Sequence, residues 1–133
     1  MPVPSADPRV DRLLREILAS RVYDVARETP LDPAPRLSRR LSNEILLKRE
    51  DLQPVFSFKL RGASHAVAQL SEVQKRLGVA TASTGNHGRA LAYAAAQQGV
   101  TAIVCLSQLV PPNKVQAIRE LGAEVVIVGH SQD

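Results

Sequence analysis

The chain has one cysteine, two phenylalanines, two tyrosines and no tryptophan. A single cysteine excludes an internal disulfide, and no histidine or cysteine spacing of a metal site accompanies it. Cys105 lies in the apolar run Ala102-Ile103-Val104-Cys105-Leu106 and is expected to be a small buried side chain. Aromatics make up 3% of the residues, and the longest basic runs are pairs such as Arg39-Arg40 and Lys75-Arg76. A nucleic-acid surface needs clustered cations, often with stacking partners, so no nucleic-acid partner is expected. The net charge of +4 reads as a mildly basic, solvated surface. No apolar run approaches the ~20 residues of a membrane span, and the N-terminus has no signal core. No membrane partner and a soluble, cytoplasmic protein are therefore expected. Neither a Gly-x-Gly-x-x-Gly fingerprint nor a P-loop occurs, which ranks a nucleotide-binding reading last.

What is present suffices for one domain or part of one: 133 residues, 44% of them hydrophobic. Residues 1–6 read as a loose lead-in. Asp7-Pro8 is a helix start, with aspartate as cap and proline at the first helical position. Val10, Leu13, Leu14, Ile17 and Leu18 follow at offsets of 0, 3, 4, 7 and 8, a single apolar stripe. Its polar face carries Asp11, Arg12, Arg15 and Glu16. The three prolines in residues 29–35 impose an extended connector. A short helix is expected over 35–41, a strand over 44–48 and a loop over 51–55.

Ser57 is the expected cap of a helix over 58–70, in which Gly62 suggests close backbone approach. Ser71-Glu72-Val73-Gln74 has capping-box form, and Gly78 ends that helix. The pattern then becomes regular. Strands are expected over 79–82, 100–106 and 124–128, with helices over 86–98 and 112–121. Short buried strands alternating with helices imply an α/β fold with a parallel sheet, a βαβαβ unit. Residues 129–133 read as the next strand-to-helix turn.

Two segments carry chemistry. Lys59 sits in the first turn of its helix between the phenylalanine-bearing residues 56–58 and Leu60. An amine must be neutral to attack an aldehyde. A helix N-terminus disfavours a cation by only ~0.3–1 kcal/mol, whereas burial lowers a lysine pKa by up to ~3–5 units. Lys59 is therefore expected to be dry and uncharged beside the second segment, Ser83-Thr84-Gly85-Asn86-His87-Gly88. There a strand gives way to a helix whose first N–H groups form an anion site. Gly85 and Gly88 allow unusual angles or close approach, and the turn suits a carboxylate or a phosphate. His87 is read as an orienting donor rather than a base, because no carboxylate is adjacent. His65 and His130 are assigned to the surface, and Lys114 to an exposed helix face. The alanines of 90–96 suit close packing on a sheet.

The run from Lys48 to Ala63, KREDLQPVFSFKLRGA, resembles the lysine segment of biosynthetic threonine dehydratases, as do Ser20-Arg21-Val22-Tyr23-Asp24-Val25-Ala26 and Glu28-Thr29-Pro30-Leu31. The residues from Ser83 to Leu91, STGNHGRAL, resemble hydroxyectoine-utilisation dehydratases, as do Leu109-Val110-Pro111, Asn113-Lys114-Val115 and the end of the chain. Both are fold-type-II pyridoxal 5'-phosphate enzymes. The resemblance implies Lys59 as the lysine that condenses with the cofactor and moves the α-proton. It implies Phe58 and Asn86 at the cofactor, the latter on its phenolic oxygen, and Ser83, Thr84, Gly85 and His87 at the substrate carboxylate.

The implied reaction is loss of the β-hydroxyl from threonine or serine, giving a keto acid and ammonia, in a full-length homo-oligomer. Thr84 departs from the alanine of many threonine dehydratases. The resemblance also implies an N-terminal fragment. Residues 1–76 would open a larger catalytic domain and 77–133 a smaller one, with the phosphate cradle further on. Little or no turnover is expected of the chain alone. The rival reading is a non-catalytic α/β module that binds an anion or another chain.

Overall fold

The computed structural model describes residues 7–83 and 85–131; the lead-in at 1–6, Thr84 and residues 132–133 lie outside them. Helix α1 is Pro8–Ala19, and the Asp7 side chain accepts from the Arg9 amide at its start. Ion pairs form along its polar face, Arg12 with Glu16 and Arg15 with Asp11. Its apolar stripe is uncovered among the described residues: Leu13 is 56% exposed and Leu18 76%. That face is an apolar patch of the kind that drives association.

The proline-rich connector is extended, as its composition requires. It also pairs, which the sequence reading did not foresee. Strand β1 (Leu31–Pro33) runs antiparallel to β2 (Leu46–Lys48), with Leu31 opposite Lys48 and α2 (Pro35–Leu41) between them. A 3-10 turn at Glu50–Leu52 and an irregular stretch lead to α3, Lys59–Ala68. Phe58, not Ser57, occupies the cap position of α3, though the Ser57 hydroxyl accepts from the Lys59 amide at 3.3 Å. Helix α4 (Glu72–Leu77) opens with the complete capping box of Ser71 and Gln74 and closes at Gly78 with φ of 85°.

The rest is the expected α/β unit. Strands β3 (Val79–Ala82), β4 (Ala102–Leu106) and β5 (Glu124–Ile127) form a parallel sheet in that order. Val79 pairs with Ala102, and Ile103 with Glu124. Helix α5 (Asn86–Gln97) follows β3, and α6 (Pro112–Arg119) follows β4. Helix α5 is central: it packs on β3, β4, α3 and α6. Its buried Ala90, Ala92, Ala94 and Ala95 permit that close approach, and Leu60, Val67, Val104, Leu106 and Ile118 fill the core around it. Cys105 is half-buried rather than buried, because β4 alternates and Cys105 shares the less covered face with Ile103.

Two glycines separate sharply. A Cβ on Gly88 would stand 2.7 Å from Val104 Cγ1 and 3.3 Å from Ser83 Cβ, so the start of α5 lies against β4 only because that atom is missing. A Cβ on Gly62 would meet nothing within 4 Å. The close approach expected at Gly62 is absent because that side of α3 faces open space rather than a packed neighbour.

A polar knot fixes the lysine-bearing helix. The Arg61 guanidinium donates to both oxygens of Glu50, Nε at 2.9 Å and an Nη at 2.8 Å. Thr29 donates its hydroxyl to the same carboxylate, and Gln53 reaches it at 3.3 Å. Gln53 is 1% exposed; its Oε1 accepts from the Arg27 amide and its Nε2 donates to the Arg27 carbonyl. The Arg61 guanidinium also lies over the Tyr23 ring, 5.3 Å from its centre. The knot thus ties residues 23–29, the 3-10 turn and α3 together. Arg61 foremost, opposed by partial burial and helped by Thr29, lowers the Glu50 carboxyl from 4.5 to about 2.

Three substitutions test this packing. A carboxyl whose folded pKa is lowered adds stability above its unfolded value of 4.5, and that stability fades as pH falls towards 2. The pair retains some water contact, so Glu50→Gln is expected to cost about 2 kcal/mol at pH 7. The gap to the parent in urea titrations should shrink steadily between pH 4.5 and 2; a pH-independent gap would count against the pairing. By the same measurement at pH 7, Gly88→Ala loses about 1–3 kcal/mol by overpacking. Gly62→Ala instead gains up to ~1 kcal/mol from helix propensity.

Candidate functional site

The lysine segment and the Ser83–Gly88 turn reach each other through the packing of α3 on α5. Helical spacing places Lys59 on one stripe with Gly62, Ala63 and Ala66. Those three residues line a cavity of about 250 Å³, and His87 and Leu91 of α5 and Thr81 of β3 line it too. The stripe that carries Lys59 therefore opens on the same recess as the first turn of α5. The recess is walled mainly by small and apolar side chains, with His87 as its titratable member.

Lys59 itself is exposed, contrary to the expectation of a dry amine. The reason lies in the helix. Leu60, Ala63, Ser64 and Val67 form the buried stripe of α3, and Lys59 falls one residue, about 100°, off Leu60. Its Nζ stands 4.7 Å from the centre of the Phe58 ring, which is itself 59% exposed. Nothing among the described residues covers this pair.

The turn is better determined than its exposure suggests. The Ser83 hydroxyl accepts from the amides of Gly85 (3.3 Å) and Gly88 (2.9 Å). A hydroxyl that accepts twice still has its O–H to donate, so Ser83 can present a proton to an anion while its oxygen holds the turn closed. Asn86 begins α5 with Gly85 at its cap, and Asn86 and His87 are exposed. The first N–H groups of α5 lack intrahelical partners and point out of the helix end, as an anion site requires. Thr84 lies outside the described residues.

Two side chains to which the sequence reading gave no part in the site also lie here. Lys114 is exposed, as expected, yet its Nζ comes within 3.9 Å of the Cβ position of Gly85, adding a cation beside the turn. The Arg89 guanidinium sits over the Phe56 ring at 4.9 Å, joining α5 to the segment before Lys59. Phe56 is held at φ of 58°, a rare conformation for a bulky residue. No sequence signal marked these contacts, since their partners lie tens of residues away. His65 is exposed and bonded to Gln69 at 2.6 Å, and His130 is exposed, as expected for surface roles. Among the described residues no cluster of metal-ligating side chains occurs and no helix is long and apolar enough to cross a membrane.

The residues present suit pyridoxal phosphate. An amine is open to an aldehyde, a donor-bearing turn stands at a helix N-terminus, and a recess lined by small residues connects their elements. Comparison with known proteins points the same way. The profile of the family described as pyridoxal-phosphate dependent enzyme matches residues 22–133. Threonine dehydratase 1 biosynthetic, chloroplastic, of Solanum lycopersicum is 49% identical over 120 residues, 90% of this chain and 20% of that protein. The biosynthetic L-threonine dehydratase of Escherichia coli is 46% identical over 129 residues, 97% of this chain and 25% of that protein.

Among solved structures, the processed form of threonine deaminase isoform 2 from Solanum lycopersicum superposes with a TM-score of 0.87 at 42% identity, covering 100% of this chain and 37% of that one. Maize serine racemase superposes with a TM-score of 0.81 at 29% identity, covering 89% and 36%. The chain thus spans about a fifth to a quarter of the length of the curated relatives it matches. With the family profile covering residues 22–133, the chain belongs to the pyridoxal-phosphate dependent enzyme family.

Proposed function

We propose that this chain is the lysine-bearing part of an enzyme that removes the β-hydroxyl of threonine or serine, yielding a keto acid and ammonia. The observation that carries the reading is the placement of Lys59 on the α3 stripe that opens, with His87, on the recess beside the α5 turn. The names of the relatives supply the substrate class, and their agreement along most of the chain supports carrying it over.

Each residue has a distinct task in this reading. Lys59 binds the cofactor through its amine and exchanges the proton at the substrate α-carbon. Phe58 packs beside the cofactor ring, and Asn86 donates to its phenolic oxygen. Ser83 through its O–H, with Gly85 and His87 of the turn, receives the substrate carboxylate; Thr84 belongs to the same set. Pyridoxal phosphate, when bound, supplies the electron sink that makes the α-proton removable. Residues 1–76 belong to a larger catalytic domain and 77–133 to a smaller one. The complete enzyme is a cytoplasmic homo-oligomer of amino-acid metabolism, on the side of isoleucine biosynthesis.

The 133-residue chain alone is expected to show little or no turnover. Proton transfer is fastest where water is excluded, and Lys59 and Phe58 are open to it. The test is chemical. The chain is mixed with pyridoxal phosphate, reduced with borohydride and digested, and the modified peptides are weighed. Label concentrated on Lys59 and lost in Lys59→Ala is expected, with keto acid from threonine or serine near background. Equal label on Lys48, Lys75 and Lys114 would remove the special standing of Lys59, and turnover near that of a full-length relative would overturn the dependence on further chain.

A further inference from the structure

Three unfavourable features meet at the side chain of Arg89. Its charge stands in the first turn of α5, where the helix dipole disfavours a cation. Its Nε is buried and has no hydrogen-bond partner among the described residues, and a buried donor left unpaired is costly. The ring on which its guanidinium rests, 4.9 Å from Cζ to the ring centre, belongs to Phe56, whose φ of 58° is strained for a bulky residue.

One cation–π contact is comparable with any one of these costs and smaller than their sum. Burial does not make up the difference, because Phe56 is mostly exposed. Its backbone angle is imposed from both sides: Val55 and Ser57 are buried, and the Phe56 amide donates to the Gln53 carbonyl at 2.8 Å. Glycine would take that angle without strain, so what phenylalanine adds at this position is its ring. Two residues on, the Phe58 ring stands 4.7 Å from the Lys59 Nζ, and between them the Ser57 hydroxyl accepts from the Lys59 amide at 3.3 Å. Residues 56–59 thus carry two rings with a cation on each, Arg89 of α5 on the first and Lys59 on the second.

We infer that Arg89 is a positioning residue for Lys59: by holding the Phe56 ring it ties residues 56–58 to α5, and so fixes the Phe58 ring, with the amine against it, relative to the helix that carries the turn. Leu60 and Arg61 act on α3 itself, whereas Arg89 acts on the segment that precedes it. The role rests on the reading of Lys59 as the cofactor lysine for its purpose, though not for its geometry.

The test reads the geometry first, without cofactor, by NMR of the ¹³C,¹⁵N-labelled chain. The Lys59 ε-methylene protons are expected upfield of those of the other lysines through the Phe58 ring current, and the Arg89 Nε proton upfield through that of Phe56. Phe56→Gly and Arg89→Met should each shrink the Lys59 displacement by half or more; Phe56→Tyr, which keeps the ring, should preserve it. The double variant should do no more than either single one, since both remove the same contact. Borohydride trapping of pyridoxal phosphate should then slow at Lys59 by roughly two- to fivefold, the factor that an exposed cation–π contact supplies, and not at Lys48 or Lys75. Phe56→Gly separates positioning from support: it relieves the strained angle, so its urea midpoint should equal or exceed the parent's while the Lys59 displacement falls. An Arg89 proton at its ordinary shift, an unaltered Lys59 signal in Phe56→Gly or Arg89→Met, additive effects in the double variant, or a lowered urea midpoint in Phe56→Gly would each overturn the inference. Label spread evenly over the lysines of the parent would instead count against the cofactor reading, and the ring-current shifts would still decide the role of Arg89.

Discussion

An exposed lysine cannot be aimed by its own packing, so its direction is set by the residues on either side. In this chain those neighbours are Leu60, fully buried, and Arg61, forked onto Glu50. The first turns α3 into the core, and the second stops it from rolling about that contact. Glu50 is in turn held by Thr29 and Gln53, and Gln53 is locked to the backbone of Arg27. A buried ion pair is often no more stabilising than an apolar replacement would be. What it adds is geometry, because a bidentate contact fixes both distance and orientation. The orientation of α3, and with it the direction of Lys59, therefore depends on a carboxylate nine residues earlier in the sequence.

The second half of the site is organised by a missing atom. Gly88 lets the first turn of α5 lie on Val104, and Ser83 then closes the turn by accepting from two of its amides. That leaves the Ser83 O–H free to donate at the start of α5. Arg89 and Phe56 join the two halves from above. The unusual backbone of Phe56 has a local reason in this arrangement, since the ring that it presents is the surface on which Arg89 rests.

What the sequence made legible follows from the range of the signals. Asp7-Pro8, the Ser71 capping box and the glycines that end the helices act within four residues, and α1, α2, α4 and the β3-α5-β4-α6-β5 order appear where they point. The pairing of β1 with β2 was hidden because prolines masked an extended segment as a mere connector. The knot at Glu50 was hidden because Arg61 and Thr29 stand 11 and 21 residues from it, where no periodicity reaches. For the site, the motifs named the residues, but motif and burial are different properties. Lys59 lies off the buried stripe, and Gly62 faces space, though both belong to the recognisable run.

That contrast bears on how chemistry is divided along the chain. The described residues put the amine on a helix that packs on α5, and the donor-bearing turn at the start of α5 beside a recess that the two helices share, which is the orienting part of catalysis. They do not exclude water: Phe56 is 64% exposed, Phe58 59%, and Lys59 lies open with them. The Phe56 and Phe58 rings, the latter beside the Lys59 amine, are apolar surface open to solvent. The exposed stripe of α1 repeats the pattern beside the first half of α3, where Leu13 and Ile17 border a cavity shared with Arg61 and His65. Orientation is thus built locally, by Leu60, Glu50 and Gly88. Desolvation has to come from whatever packs over these apolar surfaces, and the relatives are four to five times longer than this chain.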